Sequence, residues 1–216
     1  MFKDRVDAGR KLALRLEGEY KEADAVVLAI PRGGVVVGNE VVRILGVDLD
    51  IITPRKIGAP GNPELAIGAA AQGEVIINES LVRQLGISRE YVEQEAAKQM
   101  AEIERRRRLY LGDSKEPPLT NRIAIIVDDG LATGYTALAA IHAVKRQNPS
   151  KTVLAVPVAP TDTYMRLKPE VDELVCLEFH DIFYAVGQFY ESFEQTTDAE
   201  VIEILRAYRR EGHSEK

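Results

Sequence analysis

One stretch decides the fold of this chain: Ile125-Ile126-Val127-Asp128-Asp129-Gly130-Leu131-Ala132-Thr133-Gly134-Tyr135-Thr136. An apolar run ends in two acids, a loop of small residues and threonines follows, and a helical pattern then begins. This order predicts a buried strand that carries two carboxylates and a phosphate-sized loop to the carboxyl edge of a sheet. The alternative is an ordinary turn with two solvated aspartates. The close spacing of Gly130, Thr133, Gly134 and Thr136 favours the phosphate site.

Length and composition predict a soluble globular protein of one domain, residues 1–216, and the alternation of strand and helix patterns described next makes it an α/β protein. Apolar residues make up 45% of the chain and charged residues 29%, as in ordinary globular proteins. The net charge of −6 argues against a nucleic-acid partner. The single cysteine fits a reducing compartment. The amino terminus lacks an apolar signal core and no run approaches the ~18 apolar residues of a membrane span, so we expect a cytoplasmic protein without a membrane partner.

Strand patterns and helix patterns alternate along the chain. Strand-length apolar runs lie at residues 25–30, 47–53, 122–127, 151–158 and 173–177, with shorter candidates at 65–71 and 75–78. Helical patterns lie at residues 3–17, 35–45, 88–111, 136–146, 161–167 and 198–210. The alternation predicts a doubly wound, mainly parallel sheet flanked by helices.

Two further segments have the composition of anion-binding loops. Pro31-Arg32-Gly33-Gly34 separates the first strand from a helix, which is the geometry that points backbone N–H groups at an anion. Residues 55–63 begin with Arg55 and Lys56 and are rich in glycine and proline, so we predict a mobile surface loop that starts with two cations. The alternatives are a simple tight turn for the first segment and a solvated turn for the second.

Two common phosphate motifs do not fit. The phosphate loop of nucleoside triphosphatases needs four residues between its glycines and then lysine, whereas three residues separate Gly130 from Gly134 and Tyr135 follows. A dinucleotide fingerprint needs the spacing G-x-G-x-x-G, which Gly33, Gly34 and Gly38 do not provide. The sequence therefore supports neither triphosphate hydrolysis nor NAD binding.

Residues 124–136 resemble the phosphoribosyl pyrophosphate motif of type I phosphoribosyltransferases. The match departs at Gly130, where the family usually has an aliphatic residue. Residues 31–34 look like the family's pyrophosphate loop, and residues 55–58 are similar to the cationic start of its flexible catalytic loop. The three elements follow the family's order over most of residues 25–160. The resemblance implies the family's doubly wound fold with a small aromatic hood.

The resemblance also implies a role for each motif. Asp128 and Asp129 would hold the ribose hydroxyls and stabilise a cationic sugar, and with Arg55 and Lys56 they form the predicted catalytic set. The predicted phosphoribosyl and 5-phosphate site comprises Asp128, Asp129, Gly130, Leu131, Ala132, Thr133, Gly134 and Thr136. The predicted pyrophosphate site comprises Arg32, Gly33, Gly34, Arg55 and Lys56. The resemblance further implies a strained peptide near residues 31–33, with cis geometry as one form.

The implied cofactor is Mg²⁺, which would bind substrate oxygens and reach Asp128 and Asp129 only through water, with no direct protein ligand. The implied reaction displaces pyrophosphate from the anomeric carbon by a base nitrogen. Ala132 stands where hypoxanthine- and guanine-type members carry an aspartate, so 6-oxopurines are expected to be poor substrates. The hood, residues 178–197, would cover the base. Its candidate residues are Phe179, His180, Phe183 and Tyr184, and the alternative is that these rings only pack a small lid.

We therefore predict a Mg²⁺-dependent phosphoribosyltransferase whose partners are phosphoribosyl pyrophosphate and a nitrogenous base. One alternative is a module that senses phosphoribosyl pyrophosphate or a nucleotide without turnover; another is a scaffold with a vestigial site. A homodimer is expected because relatives commonly pair. The identity of the base stays open, as does whether the loop after Lys56 closes over its own or a neighbouring subunit's site.

Overall fold

The computed structural model describes residues 1–114 and 116–210, apart from the side chain of Glu64. The tail of the predicted domain, residues 211–216, lies outside the described residues. The helices are α1 (Arg5–Tyr20), α2 (Gly33–Leu45), α3 (Glu79–Gln84), α4 (Arg89–Leu111), α5 (Tyr135–Lys145), α6 (Thr161–Leu167) and α7 (Asp198–Arg210). The strands are β1 (Ala25–Ala29), β2 (Asp48–Ile51), β3 (Arg55–Ala59), β4 (Asn62–Ala71), β5 (Glu74–Ile77), β6 (Ile123–Val127), β7 (Lys151–Pro160) and β8 (Glu173–His180).

Five strands form the main sheet in the order β2-β1-β6-β7-β8, and every neighbouring pair is parallel. Side chains alternate between two cores, as a strand requires. Val27 and Val127 face the core shared with α1, α2 and α7, whereas Val26 and Ile126 face the core that contains α5. Burial on both faces explains the uninterrupted apolar runs of β1 and β6. The predicted doubly wound, mainly parallel fold is confirmed.

The prediction of a mobile loop over residues 55–63 is wrong, because these residues form a β-hairpin. β3, β4 and β5 make a second, antiparallel sheet, in which Arg55 pairs with Ala70 and Lys56 with Ala69. Ile57 and Ala59 are buried against α4 in a separate apolar cluster. Only Ile57 and Ala59 alternate as apolar residues in β3, so the strand signal in the sequence is weak. The glycines and prolines around them are typical of a loop, and this is why the sequence predicted one. Pro60 and Gly61 supply the tight turn rather than a long loop.

The last strand is longer than predicted, which moves part of the predicted hood into the sheet. β7 continues through Pro157 to Pro160, two residues beyond the predicted end of this strand at residue 158. The extra length of β7 pairs Ala159 with Phe179 and Pro160 with His180. Pairing with β7 therefore extends the strand to His180, although the aromatic composition of residues 178–180 led us to assign them to the hood. Irregular structure begins only after His180. The short 3₁₀ helix Val186–Phe189 lies within it.

Candidate active site

The two predicted loops meet because β1 and β6 are parallel neighbours. Ala29 pairs with Val127 at the ends of these strands, and the amide of Ile30 donates a 2.8 Å hydrogen bond to the carbonyl oxygen of Val127. The Pro31–Gly34 loop and the Asp128–Asp129 pair therefore leave the sheet side by side. This edge is where open α/β sheets bind ligands.

A cleft of about 410 Å³ opens at this edge of the sheet. Of the predicted site residues, Arg32, Gly33, Asp128, Asp129 and Thr136 line it. The structure thus brings residues from two predicted loops, and from the first turn of α5, around one space.

Asp128 and Asp129 are held in different ways. The amide of Asp129 donates a 2.8 Å hydrogen bond to Asp128 Oδ1. Burial, followed by the neighbouring charge of Asp129, raises the pKa of Asp128 well above its ordinary value. Asp129 instead has a cationic partner, since Arg5 Nε donates to its Oδ2 at 2.7 Å. The Tyr190 hydroxyl also donates to the Asp129 carbonyl oxygen at 2.5 Å, which fixes the backbone of the pair.

The glycines of the first loop permit its contact with the acid pair. A Cβ atom at residue 33 would lie 1.9 Å from Asp129 Oδ2, and one at residue 34 would lie 2.9 Å from the Val127 carbonyl oxygen. No residue with a side chain fits at either position without displacing the acids or the strand end. The peptide bond between Pro31 and Arg32 is cis, in agreement with the expectation from the sequence.

The second loop, residues 130–134, is held from behind by α6. Thr163 Oγ1 donates to the Ala132 carbonyl oxygen at 2.8 Å, and Arg166 donates to that of Thr133. Gly134 has a left-handed backbone, with φ of +71°, at the start of α5. The first N–H groups of α5 have no partner within the helix, so this end of the loop suits an anion.

Arg55 and Lys56 lie on β3 rather than at the cleft. Arg55 Nε donates to Gln99 Oε1 on α4 at 3.2 Å, and Lys56 is exposed on the small sheet. Burial, together with the charge of Arg106, lowers the pKa of Arg55. Pro54, which precedes them, is the part of this segment that reaches the cleft. Their roles in catalysis and in pyrophosphate binding stay predictions.

None of the four candidate hood residues is among the residues that line the cleft. Phe179 stacks on Tyr164 with ring centroids 4.9 Å apart, and His180 stacks on Phe189 at 4.5 Å. Phe183 also packs against Phe189, at 4.9 Å, whereas Tyr184 is 89% exposed. Their role in recognising a base stays a prediction.

Sequence reasoning named none of the residues that form one wall of the cleft, although three of them lie within the predicted hood, residues 178–197. This wall comprises Arg5, Phe193, Gln195 and Thr196. Residues 189–192 lie beside the amino terminus, because the Phe2 amide bonds the Phe189 carbonyl oxygen and the Glu191 amide bonds that of Phe2, both at 2.8 Å. No sequence pattern predicts this contact between the amino terminus and residues 189–192. Arg5 did carry a signal, since a cation in the first turn of a helix opposes the helix dipole.

The acid pair alone does not make a metal site. Within residues 1–114 and 116–210, no three histidine, cysteine or acidic side chains cluster in a way that could hold a metal ion. Two carboxylates at a cleft do fit Mg²⁺ that arrives on substrate phosphates and keeps part of its water shell. In the same described part of the chain, no helix is long and apolar enough to cross a membrane.

Comparison with known proteins agrees with this geometry. A family model described as phosphoribosyl transferase domain matches residues 2–194. A Mycobacterium tuberculosis protein named "Putative phosphoribosyl transferase" is 44% identical over 211 residues, which cover 97% of this chain and 47% of that protein. The chain thus spans about half the length of the curated relatives it matches.

Solved structures show the same fold. A crystal structure of a Thermus thermophilus protein matches with a TM-score of 0.82 at 41% identity, over 96% of this chain and 98% of that chain. A purine phosphoribosyltransferase from Pyrococcus horikoshii matches with a TM-score of 0.50 at 17% identity, over 89% of this chain and 93% of that chain. The second likeness concerns the fold alone.

Proposed function

The chain belongs to the phosphoribosyl transferase family, and we propose that it transfers the 5-phosphoribosyl group from phosphoribosyl pyrophosphate to a nitrogenous base, with release of pyrophosphate. One observation carries the proposal. The Pro31–Gly34 loop, the Asp128–Asp129 pair and Thr136 in the first turn of α5 converge on a single cleft at the carboxyl edge of the sheet. The proposal includes Mg²⁺ dependence, a homodimer and a cytoplasmic location.

The cleft offers a group for each part of the donor. The start of α5 and the Thr136 hydroxyl suit the 5-phosphate, and Asp128 and Asp129 suit the ribose hydroxyls. Arg32 and Gly33 also line the cleft, where their cation and backbone suit the diphosphate that leaves. Bound Mg²⁺ would supply positive charge to the diphosphate oxygens.

The reaction then breaks the bond between the anomeric carbon and the pyrophosphate oxygen, whose electron pair leaves with pyrophosphate. A base nitrogen forms the new bond to this carbon, and its proton passes to solvent. The transition state resembles an oxocarbenium ion, so the nearby carboxylates stabilise it electrostatically. Positioning and charge, rather than a covalent enzyme intermediate, carry the catalysis.

We propose that hypoxanthine and guanine are poor acceptors. Ala132 carries no group that accepts a purine proton, and its side chain is exposed beside a carbonyl group that is already bonded to Thr163. A purified protein that turns over guanine or hypoxanthine as well as its best base would contradict this part of the proposal.

The second candidate is a sensor that binds phosphoribosyl pyrophosphate without turnover. The hairpin at residues 55–63 favours it, because the sequence argument for an enzyme relied on a mobile loop that β3 and β4 replace with paired strands. Arg55 is also engaged with Gln99, 3.2 Å away on α4. An enzyme would need another segment to cover the reaction.

A pyrophosphate-release assay separates the two candidates. The protein is incubated with phosphoribosyl pyrophosphate, Mg²⁺ and a panel of purine, pyrimidine and other nitrogenous bases, and binding of phosphoribosyl pyrophosphate is measured in parallel by calorimetry. Base-dependent release supports the transferase. Tight binding with no release for any base supports the sensor, and absence of binding overturns both. Omission of Mg²⁺ tests metal dependence, and light scattering tests the dimer.

A further inference from the structure

Arg5 occupies a position that its helix does not favour. It is the first residue of α1, where the helix dipole disfavours a positive charge. Its side chain is nevertheless only 12% exposed. Nε donates to Asp129 Oδ2 at 2.7 Å, and Nη1 donates to the Glu194 carbonyl oxygen at 2.6 Å. Contacts with the wall of the cleft, rather than with α1, therefore hold this side chain.

Phe193 provides the third contact. The guanidinium carbon of Arg5 lies 3.8 Å from the centre of the Phe193 ring, and both residues line the cleft. A guanidinium group stacked on a ring can turn its N–H groups towards new partners while the stacking persists. Lysine offers neither the planar stack nor two donors in a fixed fork.

Charge in the cleft points to an anion as the alternative partner of Arg5. Among the lining residues that the structure describes, the charged side chains are Arg5, Arg32, Asp128 and Asp129. Arg5 is bonded to one of the acids, while Arg32 Nη1 lies 3.8 Å from Asp198 on α7. Because a diphosphate that enters this cleft comes close to two acidic side chains, contact with Arg5 as well as Arg32 would offset more of its charge.

The Arg5–Asp129 pair also sits at the junction of the two loops. A Cβ atom at residue 33 would lie 2.5 Å from Arg5 Nε as well as 1.9 Å from Asp129 Oδ2. The guanidinium group therefore rests against the backbone of the predicted pyrophosphate loop. A ligand bound to this loop would therefore lie next to the guanidinium group.

We infer that Arg5 is an exchangeable counter-ion of this site. In the ligand-free protein it neutralises Asp129. When a diphosphate binds beside this pair, the guanidinium group turns from Asp129 to the diphosphate and makes the paired N–H bonds that arginine forms with phosphate oxygens, which leaves Asp129 free for ribose hydroxyls where the ligand carries them. The identity of the ligand rests on the proposed function, whereas the exchange itself requires only a diphosphate.

The direct test follows the Arg5 side chain during ligand binding. The ¹⁵N–¹H resonance of Arg5 Nε is assigned by its loss in Arg5→Lys, and the wild-type protein is titrated with inorganic pyrophosphate and Mg²⁺. We expect a saturable shift of the Arg5 signal. Arg10, which lies on the same helix and pairs with Glu40 at 2.9 Å outside the cleft, is the internal control and should not move. An Arg5 signal that stays fixed while calorimetry shows pyrophosphate bound overturns the inference, as does absence of pyrophosphate binding.

The matched variants are Arg5→Ala, Arg5→Lys and Arg10→Ala. Loss of a charge-assisted pair to a phosphate should raise the KM for phosphoribosyl pyrophosphate and the Kd for pyrophosphate roughly 10- to 100-fold in Arg5→Ala, with a smaller change in kcat. Arg5→Lys should recover part of the affinity, and Arg10→Ala should match the wild type. Unchanged pyrophosphate affinity in a folded Arg5→Ala overturns the inference; if that variant does not fold, Arg5→Lys and the wild-type titration decide.

These results separate the inference from the proposed function. Pyrophosphate binding that moves Arg5, without turnover of any base, supports the inference and contradicts the transferase. Base-dependent turnover with normal pyrophosphate affinity in Arg5→Ala does the reverse.

Discussion

Within the described residues, a buried arginine–aspartate pair at the cleft can be compared with a second pair between α4 and β2. In the cleft, the side chains of Arg5 and Asp129 are 12% and 15% exposed; beneath α4, those of Arg107 and Asp50 are 11% and 7% exposed. Burial also raises the pKa of an acid in both regions, to about 6 for Asp50 and well above its ordinary value for Asp128. Depth and a raised pKa therefore do not distinguish a binding site from a structural pair.

What differs is the geometry around each pair. Arg5 makes two short hydrogen bonds at an open cleft where two loops converge. Arg107 Nη2 lies 3.5 Å from Asp50, its two terminal nitrogens are buried without a hydrogen bond, and its Nε lies 2.8 Å from Glu116. The second pair ties α4 to β2, which predicts that its loss affects stability rather than ligand binding.

The largest expected effect comes from removal of the acid at the cleft. Asp129→Asn keeps the size of the side chain but removes the charge that would stabilise the cationic sugar, so kcat/KM should fall roughly 100- to 1000-fold. Steady-state pyrophosphate release with the best base measures the change. Asp50→Asn is the matched control at the other pair and should keep near-normal kcat/KM. Equal losses in both variants would contradict the distinction between the two regions.

The reverse experiment removes the cation of the structural pair. Arg107→Met retains an apolar stem but leaves Asp50 buried without its partner, which should lower the free energy of unfolding by about 3 kcal/mol at pH 8. Urea denaturation followed by circular dichroism measures it. The KM for phosphoribosyl pyrophosphate should stay within a factor of two. Unchanged stability would show that the distant, unbonded contact contributes nothing.

Asp50 should make its region sensitive to pH. Its pKa is about 6 in the folded protein against an ordinary value of 3.8, so the folded state binds the extra proton between these values. Its contribution to stability is complete below pH 3.8 and is lost as the pH rises through 6. Between pH 4.5 and 7.5 this loss amounts to roughly 2 kcal/mol. The difference in unfolding free energy between wild type and Asp50→Asn should change by that amount over this range; a constant difference would refute the assignment.

The sequence predicted that the Pro31–Gly34 loop and the Asp128–Asp129 pair belong to one site. It did not predict that Arg5 and Phe193 form another wall of the same cleft. β1 and β6 carry local signals, because each is an apolar run that ends in loop residues, and parallel pairing then brings Arg32 to Asp128. Arg5 and Phe193 are separated by most of the chain, and packing of the amino terminus against residues 189–192 brings them together. The prediction that Arg55 lies in a mobile loop was wrong for a different reason. Its motif resembled a loop, but pairing with Ala70 makes it a strand residue.

The smallest expected effect concerns the hydrogen bond from α6 to the second loop, residues 130–134. This contact does not involve either arginine–aspartate pair. Thr163 is buried and its hydroxyl bonds the Ala132 carbonyl oxygen at 2.8 Å, so Thr163→Val removes one hydrogen bond while keeping the shape. A single net hydrogen bond is worth about 1 kcal/mol, which predicts a KM for phosphoribosyl pyrophosphate raised roughly fivefold with kcat nearly unchanged.

Thr152→Val is the control. Thr152 is as buried as Thr163, but it lies at the amino end of β7, whereas the cleft is at the carboxyl edge of the sheet. If both variants lose stability and neither changes KM, the bond from α6 stabilises the fold only. If Thr163→Val alone raises KM, the hydrogen bond at the back of the loop orients the N–H groups that face the phosphate, and ligand affinity in this cleft then depends on α6 as well as on its charges.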